Sequence, residues 1–354
     1  MIRKISALLI MVAIILPILC GCVTEEGPKE QYKTYSFAYF DTISTVIGCE
    51  SSQDKFAEVS GKALNLLGEY HRLFDIYNEY EGINNLCTVN KLVDGEHQVV
   101  KVDRKIIDML LMAKEMYTLT GGKMNIAMGS VLSIWHDYRT AGIDEPWKAE
   151  LPPMDKLQEA ALHTDISNLI IDEENSTVYL ADPEMTLDVG AFAKGYAVEM
   201  VARFIEEELG KTGYVVNVGG NIRTIGAKAN GEKWKTGIEN PTGDTEVPYI
   251  EYIGLANEAI VTSGSYQRYY VVGGKSYHHI IDKETLMSAD RGFLSVSVIC
   301  NDSGMGDALS TALFCMSLED GMELINSLDG VEALWVLEDE AKHYSNGFNQ
   351  HFYN

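Results

Sequence analysis

The second half of the chain is a succession of short strand patterns with few helical patterns among them, and this order limits the possible folds more than any other feature. A hairpin is predicted at 266–282, with Gly273–Gly274 at its tip. Runs rich in β-branched and aromatic residues predict further strands at 214–220, 234–240, 249–257, 259–264 and 293–300. A doubly wound sheet alternates strands with helices, so this order predicts an α+β fold.

Helical patterns flank these strands at uneven intervals. A strand is expected at 36–48, and 74–90 is typical of a surface loop because it is rich in Asn, Tyr and Gly. Residues 185–218 have the order strand, helix, strand, which predicts a βαβ unit. Helices are predicted at Lys55–Leu73, Asp103–Thr120 and Gly306–Leu328.

The first 21 residues have the features of a secretory leader. Arg3 and Lys4 precede an apolar run at 5–19, which is too short to span a bilayer comfortably. The segment LCGC resembles a bacterial lipobox, which would make Cys22 the lipidated N-terminus. The alternative is an ordinary cleaved leader in which Cys22 is incidental. We expect residues 22–34 to form a polar tether and residues 35–354 to form one domain with two lobes.

The chain is strongly acidic, with 28 Lys and Arg residues against 52 Asp and Glu residues and a net charge of −24. Removing residues 1–21, which carry two basic residues and no acidic one, makes the net charge −26. Such a surface repels nucleic acid and anionic lipid headgroups. A site for a polyanion must therefore be prepared locally, by a metal ion or by oriented N–H groups.

Four cysteines lie beyond the lipobox, and none of them forms a CxxC pair, which argues against a zinc knuckle. Cys300 and Cys315 lie in apolar strand and helix patterns and are most simply core residues. Outside the cell a Cys49–Cys87 disulfide is conceivable, and the sequence leaves it open.

The segment DVGAFAKGYAVE, residues 188–199, consists mostly of small residues where a predicted strand meets a predicted helix. Free N–H groups at a helix N-terminus favour a bound anion. The segment is not a P-loop, because Lys194 precedes the second glycine and no Ser or Thr follows. NVGGNIRTIG at 217–226 is not a dinucleotide fingerprint, because a strand follows it. Local features alone fit a structural turn as well as a phosphate site.

The segment GMGDALSTALF, residues 304–314, begins a helix that brings two oxygen-bearing side chains together. Asp307 and Thr311 are four residues apart and therefore share one face. A carboxylate and a hydroxyl favour Mg²⁺ or Ca²⁺ over zinc. The alternative is structural: a first-turn helix carboxylate and a satisfied interior hydroxyl.

A third segment, residues 262–282, combines small residues with basic ones. Arg268 is placed to face an anion. His278 and His279 are adjacent on a strand, so their side chains point to opposite faces and only one can serve a site. Asp282 follows closely enough that we expect it to orient His279.

Five segments, DVGAFAKGYAVE, NVGGNI, TSGSYQRYY, YHHIID and GDALSTALF, resemble in order and spacing the ApbE family of FAD:protein FMN transferases, whose members are commonly bacterial lipoproteins. The resemblance extends from about residue 36 to residue 350. It implies an α+β fold of the T-fold kind, with two lobes and FAD in the cleft between them.

The resemblance also implies roles for individual residues. Mg²⁺ would be held by the Asp307 carboxylate, the Thr311 hydroxyl and the backbone carbonyl of Ala191. His279 would be the general base, and Lys194 would neutralise phosphate charge. The implied FAD contacts are Asp188, Lys194, Tyr77, Ala127, Met128, Gly129 and Ser130, with Phe40 and Ile281 as apolar walls. Asn125, Ser130 and Phe40 depart from the residues that are common in the family at those positions.

The implied reaction transfers FMN from FAD to a Thr or Ser hydroxyl of a target protein and releases AMP. The implied targets are subunits of Rnf- or Nqr-type redox complexes, or secreted flavoproteins, outside the cytoplasmic membrane. Two alternatives stay open: a metal-dependent FAD pyrophosphatase that yields FMN and AMP, and a lipoprotein that binds FAD without turnover.

Overall fold

The computed structural model describes residues 28–353. The predicted leader, Cys22 and residues 23–27 lie outside the described residues. The first strand begins at Glu30, so the end of the predicted tether is part of a strand. Within the described part of the chain, no helix is both long enough and apolar enough to cross a membrane.

The strands are numbered in chain order. They are β1 (Glu30–Tyr39), β2 (Thr42–Glu50), β3 (Leu92–Val93), β4 (Glu96–His97), β5 (Val100–Lys101), β6 (Leu169–Asp172), β7 (Thr177–Leu180), β8 (Tyr214–Val218), β9 (Asn221–Ile225), β10 (Trp234–Glu239), β11 (Tyr249–Leu255), β12 (Ala259–Gly264), β13 (Tyr269–Val272), β14 (Lys275–His278), β15 (Phe293–Cys300), β16 (Glu332–Leu337) and β17 (Lys342–Tyr344).

The α-helices vary more in length than the strands. They are α1 (Gln53–Phe74), α2 (Leu86–Asn90), α3 (Arg104–Leu119), α4 (Gly129–Asp144), α5 (Met154–Ala161), α6 (Ala193–Arg203), α7 (Ser303–Phe314) and α8 (Leu318–Asn326).

An antiparallel eight-stranded sheet organises the fold, in the order β1-β2-β8-β9-β12-β15-β16-β17. Helix α1 packs on β2, α6 packs on β8 and β9, and α7 packs on β12 and β15. A large apolar cluster joins these helices to the sheet and includes Val59, Leu67, Val198, Val216 and Ala312. The α+β class predicted from the strand order is confirmed.

A separate apolar cluster joins α4, α5 and the β13–β14 hairpin. Trp135 is its central side chain and donates from Nε1 to the carbonyl of Leu286 at 2.9 Å. Met128 and Ile281 are buried in the same cluster. This second cluster therefore fixes the hairpin that carries both histidines relative to the helix that follows the AMGS segment.

Three predictions of secondary structure are wrong in detail. The single strand at 36–48 is a hairpin, because the chain turns at Phe40 and Asp41, whose φ angles are 55° and 49°. The predicted βαβ unit is absent from residues 185–218, since β8 pairs antiparallel with β2 and β9. The helix predicted at Gly306–Leu328 is two helices, and the hydroxyl of Ser317 begins the second by accepting from the N–H of Asp320 at 3.1 Å.

The structure also shows the state of the cysteines and of the loop predicted at residues 74–90. Cys49, Cys87, Cys300 and Cys315 are free thiols, and all but Cys87 are buried. The loop at 74–90 ends in α2, which Asn85 begins through a reciprocal capping box with Thr88.

Candidate functional site

The turn that opens α6 is built around a buried aromatic anchor. Phe192 is fully buried, and the N–H groups of Phe192 and Ala193 both donate to the carbonyl of Val189, at 3.0 and 2.8 Å. The N–H of Gly190 donates to Oδ1 of Asp188 at 2.8 Å. The turn is thus held by its own backbone, and α6 begins at a fixed position beside α7.

Helices α6 and α7 cross at Gly195, where no larger residue fits. A Cβ atom at residue 195 would lie 2.3 Å from the carbonyl oxygen of Ser303 and 2.4 Å from the Cβ of Asp307. The close approach lets the N–H of Gly195 donate to Oδ2 of Asp307 at 2.8 Å. Gly195 is the third residue of α6, so its N–H has no acceptor within the helix, and the Asp307 carboxylate supplies one. Ala191 precedes the helix, so its carbonyl takes no part in the helical hydrogen bonds.

Asp307 lies at the centre of this junction. Its side chain is only 5% exposed, and Nζ of Lys194 lies 3.5 Å from its Oδ2. The Lys194 side chain is 22% exposed, so its ammonium group keeps access to solvent or to a ligand. The two residues form a buried carboxylate with one cation beside it, at the N-terminus of a helix.

The start of α7 is held by a buried ion network that does not include the predicted site residues. Glu199 on α6 accepts from the N–H of Ser303 and from Nε of Arg223, both at 2.9 Å. Arg203 bridges Glu199 to Asp302, the residue that begins α7 by accepting from the N–H of Met305. This network fixes the first turn of α7, and with it the position of Asp307.

Thr311 lies one turn after Asp307, among hydroxyl groups of α7 and β12. Oγ of Ser263 is 3.3 Å from Oγ1 of Thr311 and 2.8 Å from Oγ of Ser310. Carboxylate, hydroxyl and carbonyl oxygens are the donors that hard divalent cations prefer. The donor set of Asp307, Thr311 and Ala191 fits Mg²⁺ in chemistry, because it consists of a carboxylate, a hydroxyl and a carbonyl that lies outside the hydrogen bonds of α6. In residues 28–353, no group of three or more His, Cys, Asp or Glu side chains is placed to hold a metal.

The segment at 126–129 pairs with the segment that leads into the α6 turn. The N–H of Asp188 donates to the carbonyl of Ile126 at 2.8 Å, and the N–H of Gly129 donates to the carbonyl of Thr186 at 3.1 Å. A Cβ on Gly129 would lie 2.5 Å from that carbonyl oxygen, so glycine is required. Burial raises the pKa of Asp188, although the N–H of Gly190 and the nearby side chains of His136 and Arg139 oppose the shift.

The side chains of residues 127–130 pack or form hydrogen bonds inside the protein. Ala127 and Met128 are buried in apolar clusters, and the hydroxyl of Ser130 donates to the carbonyl of Ala160 at 2.9 Å. Ile281 is also buried, with 7% of its surface exposed. Any contact that these residues make with a flavin nucleotide is therefore made chiefly by their backbone.

Phe40 and Tyr77 present aromatic surface on two loops. Phe40 is half-buried at the β1–β2 turn, with its ring against His71 at a centroid distance of 5.4 Å. Tyr77 is 63% exposed, and its ring centroid lies 5.5 Å from that of His136 on α4. Asp75 fixes the Tyr77 loop by accepting from the N–H groups of Tyr77 and Asn78.

The two adjacent histidines face different surroundings. Nε2 of His278 lies 2.9 Å from the carbonyl of Ala289, and the His278 ring packs edge-on against Phe314. Nδ1 of His279 is buried without a hydrogen-bond partner in the described part of the chain. Burial, followed by the positive charges of Arg268, His278, Arg139 and Lys194, lowers the pKa of His279 to about 3. His279 is thus a neutral imidazole among cations.

Asp282 does not orient His279, so that expectation is wrong. Its buried carboxylate accepts from Arg291 at 2.7 Å and lies 3.9 Å from Nζ of Lys123. Nδ1 of His279 receives no hydrogen bond from Asp282 or from any other group of the described residues. A cavity of about 630 Å³ lies beside Asp282, Arg291 and His278, and none of the residues predicted to bind flavin or metal lines it.

Sequence reasoning missed Arg139 and His136. Nη2 of Arg139 lies 3.2 Å from Nδ1 of His136, which must be the acceptor because a guanidinium group only donates. Both lie on α4, and a sequence signal was available, since they follow the AMGS segment at a spacing of three residues on one helix face.

The chain is similar to known proteins over most of its length. A family model described as the ApbE family matches residues 41–335. The chain is 29% identical over 276 residues to the FAD:protein FMN transferase of Klebsiella pneumoniae, covering 76% of this chain and 82% of the relative. It is 31% identical over 261 residues to the FAD:protein FMN transferase of Treponema pallidum, covering 70% of each chain.

Solved structures with the same fold are also found. The crystal structure of the ApbE protein of Thermotoga maritima superimposes with a TM-score of 0.77 at 28% identity, covering 92% of this chain and all of that one. The flavin transferase ApbE of Vibrio cholerae superimposes with a TM-score of 0.74 at 23% identity, also over 92% of this chain and all of that one. The second likeness supports the fold.

Proposed function

This chain belongs to the ApbE family and is a flavin transferase, and we propose that it moves FMN from FAD to a Thr or Ser hydroxyl of target flavoproteins, with Mg²⁺ bound and AMP released. The observation that carries the proposal is the junction of α6 and α7. There the Gly195 N–H and the Lys194 ammonium group both approach Oδ2 of Asp307. One carboxylate, one cation and a helix N-terminus thus meet at a single point.

The acidity of the chain explains why such a junction is needed. FAD carries two negative charges on its pyrophosphate, and a protein of net charge −24 repels it at long range. The α6 N-terminus and Lys194 supply local positive potential. Asp307, Thr311 and the Ala191 carbonyl would hold Mg²⁺, which when bound supplies charge neutralisation and positioning for phosphoryl-type transfer.

His279 is the group proposed to accept the proton of the attacking hydroxyl. A neutral imidazole is the form that can act as a base, and burial, followed by the charges around His279, keeps its pKa low and the ring neutral. In the proposed step, the acceptor oxygen bonds to the FMN phosphorus while its proton moves to His279. The bond from that phosphorus to the oxygen bridging to AMP breaks, and AMP leaves with the electron pair.

The reaction is tested by incubating the protein with FAD and Mg²⁺, with and without a target flavoprotein. We expect AMP release to depend on the target and to match an FMN-sized mass addition on a Thr or Ser of the target. Stoichiometric AMP release without the target, and no covalent flavin with it, would instead identify a pyrophosphatase. Bound FAD without AMP in either reaction would identify a carrier.

The location of the enzyme is part of the proposal. The basic start, the apolar run and the LCGC segment support a lipid anchor at Cys22 on the outer face of the bacterial cytoplasmic membrane. Targets there would be subunits of Rnf- or Nqr-type redox complexes or secreted flavoproteins. Labelling cells with radioactive palmitate tests the anchor: we expect incorporation in the natural chain and none in Cys22→Ser.

A further inference from the structure

Strand β12 carries a serine, Ser263, on the face that packs against helix α7. A Cβ on Gly306 of α7 would lie 3.1 Å from Cγ2 of Val261, so the helix packs directly on the strand. Ser263 lies two residues after Val261 and therefore points to the same side of the sheet. Its partner in the ladder, Val296, is fully buried in the apolar cluster that includes Leu313 of α7. The Ser263 hydroxyl thus faces α7.

The hydroxyl groups of Ser263, Ser310 and Thr311 form a chain with a defined direction. Ser310 is fully buried, and its hydroxyl donates to the carbonyl of Asp307 at 3.1 Å. A hydroxyl carries one hydrogen, so Ser263 must be the donor in its 2.8 Å contact with Ser310. The hydrogen of Ser263 is then used, so Thr311 must be the donor in the 3.3 Å contact between Thr311 and Ser263. The chain therefore runs from Thr311 through Ser263 and Ser310 to the Asp307 carbonyl.

This direction decides which part of the Thr311 hydroxyl stays available. A helical threonine can donate to the carbonyl four residues earlier, but here Ser310 occupies that carbonyl, which belongs to Asp307. Among the described residues, Ser263 is the sole hydrogen-bond partner of the Thr311 side chain. With its hydrogen donated to Ser263, the Thr311 oxygen keeps its lone pairs, and a hydroxyl binds a cation through a lone pair.

We propose that Ser263 is a positioning residue that holds the Thr311 hydroxyl with its hydrogen directed away from the metal site. The inference rests on the proposed function, because it takes Asp307 and Thr311 as ligands of a divalent cation. A residue that hydrogen-bonds to a metal ligand fixes the orientation of that ligand, and its loss typically weakens metal binding about 10- to 100-fold. Ser263 acts on the cation only through Thr311.

Ser310 is needed for the direction of the chain. Without its hydroxyl, Thr311 is the remaining partner of Ser263 on α7, and the contact between them can reverse. A hydrogen donated by Ser263 would then occupy a lone pair of Thr311. Ser310→Ala should therefore weaken metal binding, although Ser310 is fully buried. Metal affinity in Ser310→Ala equal to that of the natural chain would contradict the direction of the chain.

The main test is a titration of Mn²⁺, which takes the same oxygen ligands as Mg²⁺, into protein saturated with FAD in the absence of a target. Electron paramagnetic resonance measures the free ion. We expect Ser263→Ala to bind Mn²⁺ about tenfold more weakly, and Ser263→Thr, which keeps the hydroxyl, to bind it as the natural chain does. Ser297→Ala is the matched control, because its hydroxyl lies 2.8 Å from that of Thr262 on the opposite face of the sheet and should not affect Mn²⁺ binding.

A double-mutant cycle tests whether Ser263 acts through Thr311. Thr311→Val removes the hydroxyl and nearly keeps the shape of the side chain, so this variant should bind Mn²⁺ more weakly than the natural chain. In that background we expect Ser263→Ala to cause no further loss, because the group that it orients is already absent. A tenfold loss in both backgrounds would show that Ser263 acts independently of Thr311 and would overturn the inference.

The same titration separates failure of the inference from failure of the proposed function. If Asp307→Asn binds Mn²⁺ as tightly as the natural chain, the proposed metal site fails. If Asp307→Asn loses Mn²⁺ and Ser263→Ala does not, the metal site stands and the positioning role is wrong. Binding of FAD in EDTA should be equal in Ser263→Ala and the natural chain. Weakened FAD binding in EDTA would identify a structural role for Ser263 and overturn the inference.

Discussion

The N–H of Gly195 donates a hydrogen bond of 2.8 Å to Oδ2 of Asp307, a residue 112 positions later in the chain. The bond joins the first turn of α6 to α7 and gives the Gly195 N–H, which has no acceptor within α6, a buried partner. One buried contact thus holds the Asp307 carboxylate at the start of α6, with the Lys194 ammonium group 3.5 Å away. The following predictions test this junction and its surroundings.

Asp307→Asn should abolish metal-dependent transfer. Losing an anionic ligand removes several kcal/mol of charge stabilisation, so we expect turnover to fall by at least about 100-fold. The amide oxygen can still accept from Gly195, so this variant should fold. Asp307→Ala leaves the buried N–H of Gly195 unpaired and should also lose about 1–3 kcal/mol of unfolding free energy. Turnover of Asp307→Asn in Mg²⁺ equal to that of the natural chain would contradict the ligand assignment.

Gly195→Ala should separate the two helices. The added methyl group would meet the backbone carbonyl of Ser303, which cannot move without shifting α7. We expect a loss of about 1–3 kcal/mol in the free energy of unfolding, measured in urea, together with loss of transfer. Gly61→Ala is the control, because a Cβ there has open space within a helix and should stabilise the protein by roughly 0.5–1 kcal/mol. Full activity in Gly195→Ala would show that helices α6 and α7 can move apart at residue 195 without harming the site.

The pH dependence of kcat/KM should show no inflection at pH 6.5 from His279. In the free enzyme the pKa of His279 is lowered to about 3 by burial and by the neighbouring cations, so the ring stays neutral and able to accept a proton at every pH well above that value. We expect kcat/KM to be flat from pH 6 to pH 8, and His279→Ala to lose transfer while retaining FAD. A fall in kcat/KM at low pH with its midpoint near pH 6.5, absent in His279→Ala, would contradict the lowered pKa of His279.

Asp282→Asn should destabilise the protein without removing its chemistry. Its carboxylate is buried and pairs with Arg291, so neutralising it leaves that guanidinium group unpaired at a cost of about 3 kcal/mol, while Lys123 keeps its ion pair with Glu284. Below the melting temperature, transfer per folded molecule should be unchanged, because Asp282 does not contact His279. If Asp282→Asn folds but its transfer rate falls as far as that of His279→Ala, the expectation that Asp282 orients His279 would be supported after all.

The sequence could predict features that depend on residues close together in the chain, and it could not predict those that depend on residues far apart in the chain. The helical period alone placed Asp307 and Thr311 on one face. The bond between Gly195 and Asp307 could not be predicted, because it depends on the crossing of two helices far apart in sequence. The β1–β2 turn was missed because Phe40 and Asp41 adopt positive φ without a glycine to mark it. The break before α8 was signalled by Ser317, an N-cap residue within the predicted helix.

Other differences come from tertiary contacts that override local order. Residues 185–189 resembled a sheet strand, yet their backbone pairs with the 126–129 segment, so no βαβ unit forms. Asp282 is close to His279 in sequence, but its carboxylate meets Arg291.

The most direct measurement is a crystal structure of the protein with FAD and Mn²⁺, an anomalous scatterer that takes the same oxygen ligands as Mg²⁺. We predict an anomalous peak between the Asp307 carboxylate and the FAD pyrophosphate, with Thr311 and the Ala191 carbonyl among its ligands. Flavin bound elsewhere, or a pyrophosphate with no metal peak beside Asp307, would contradict the account.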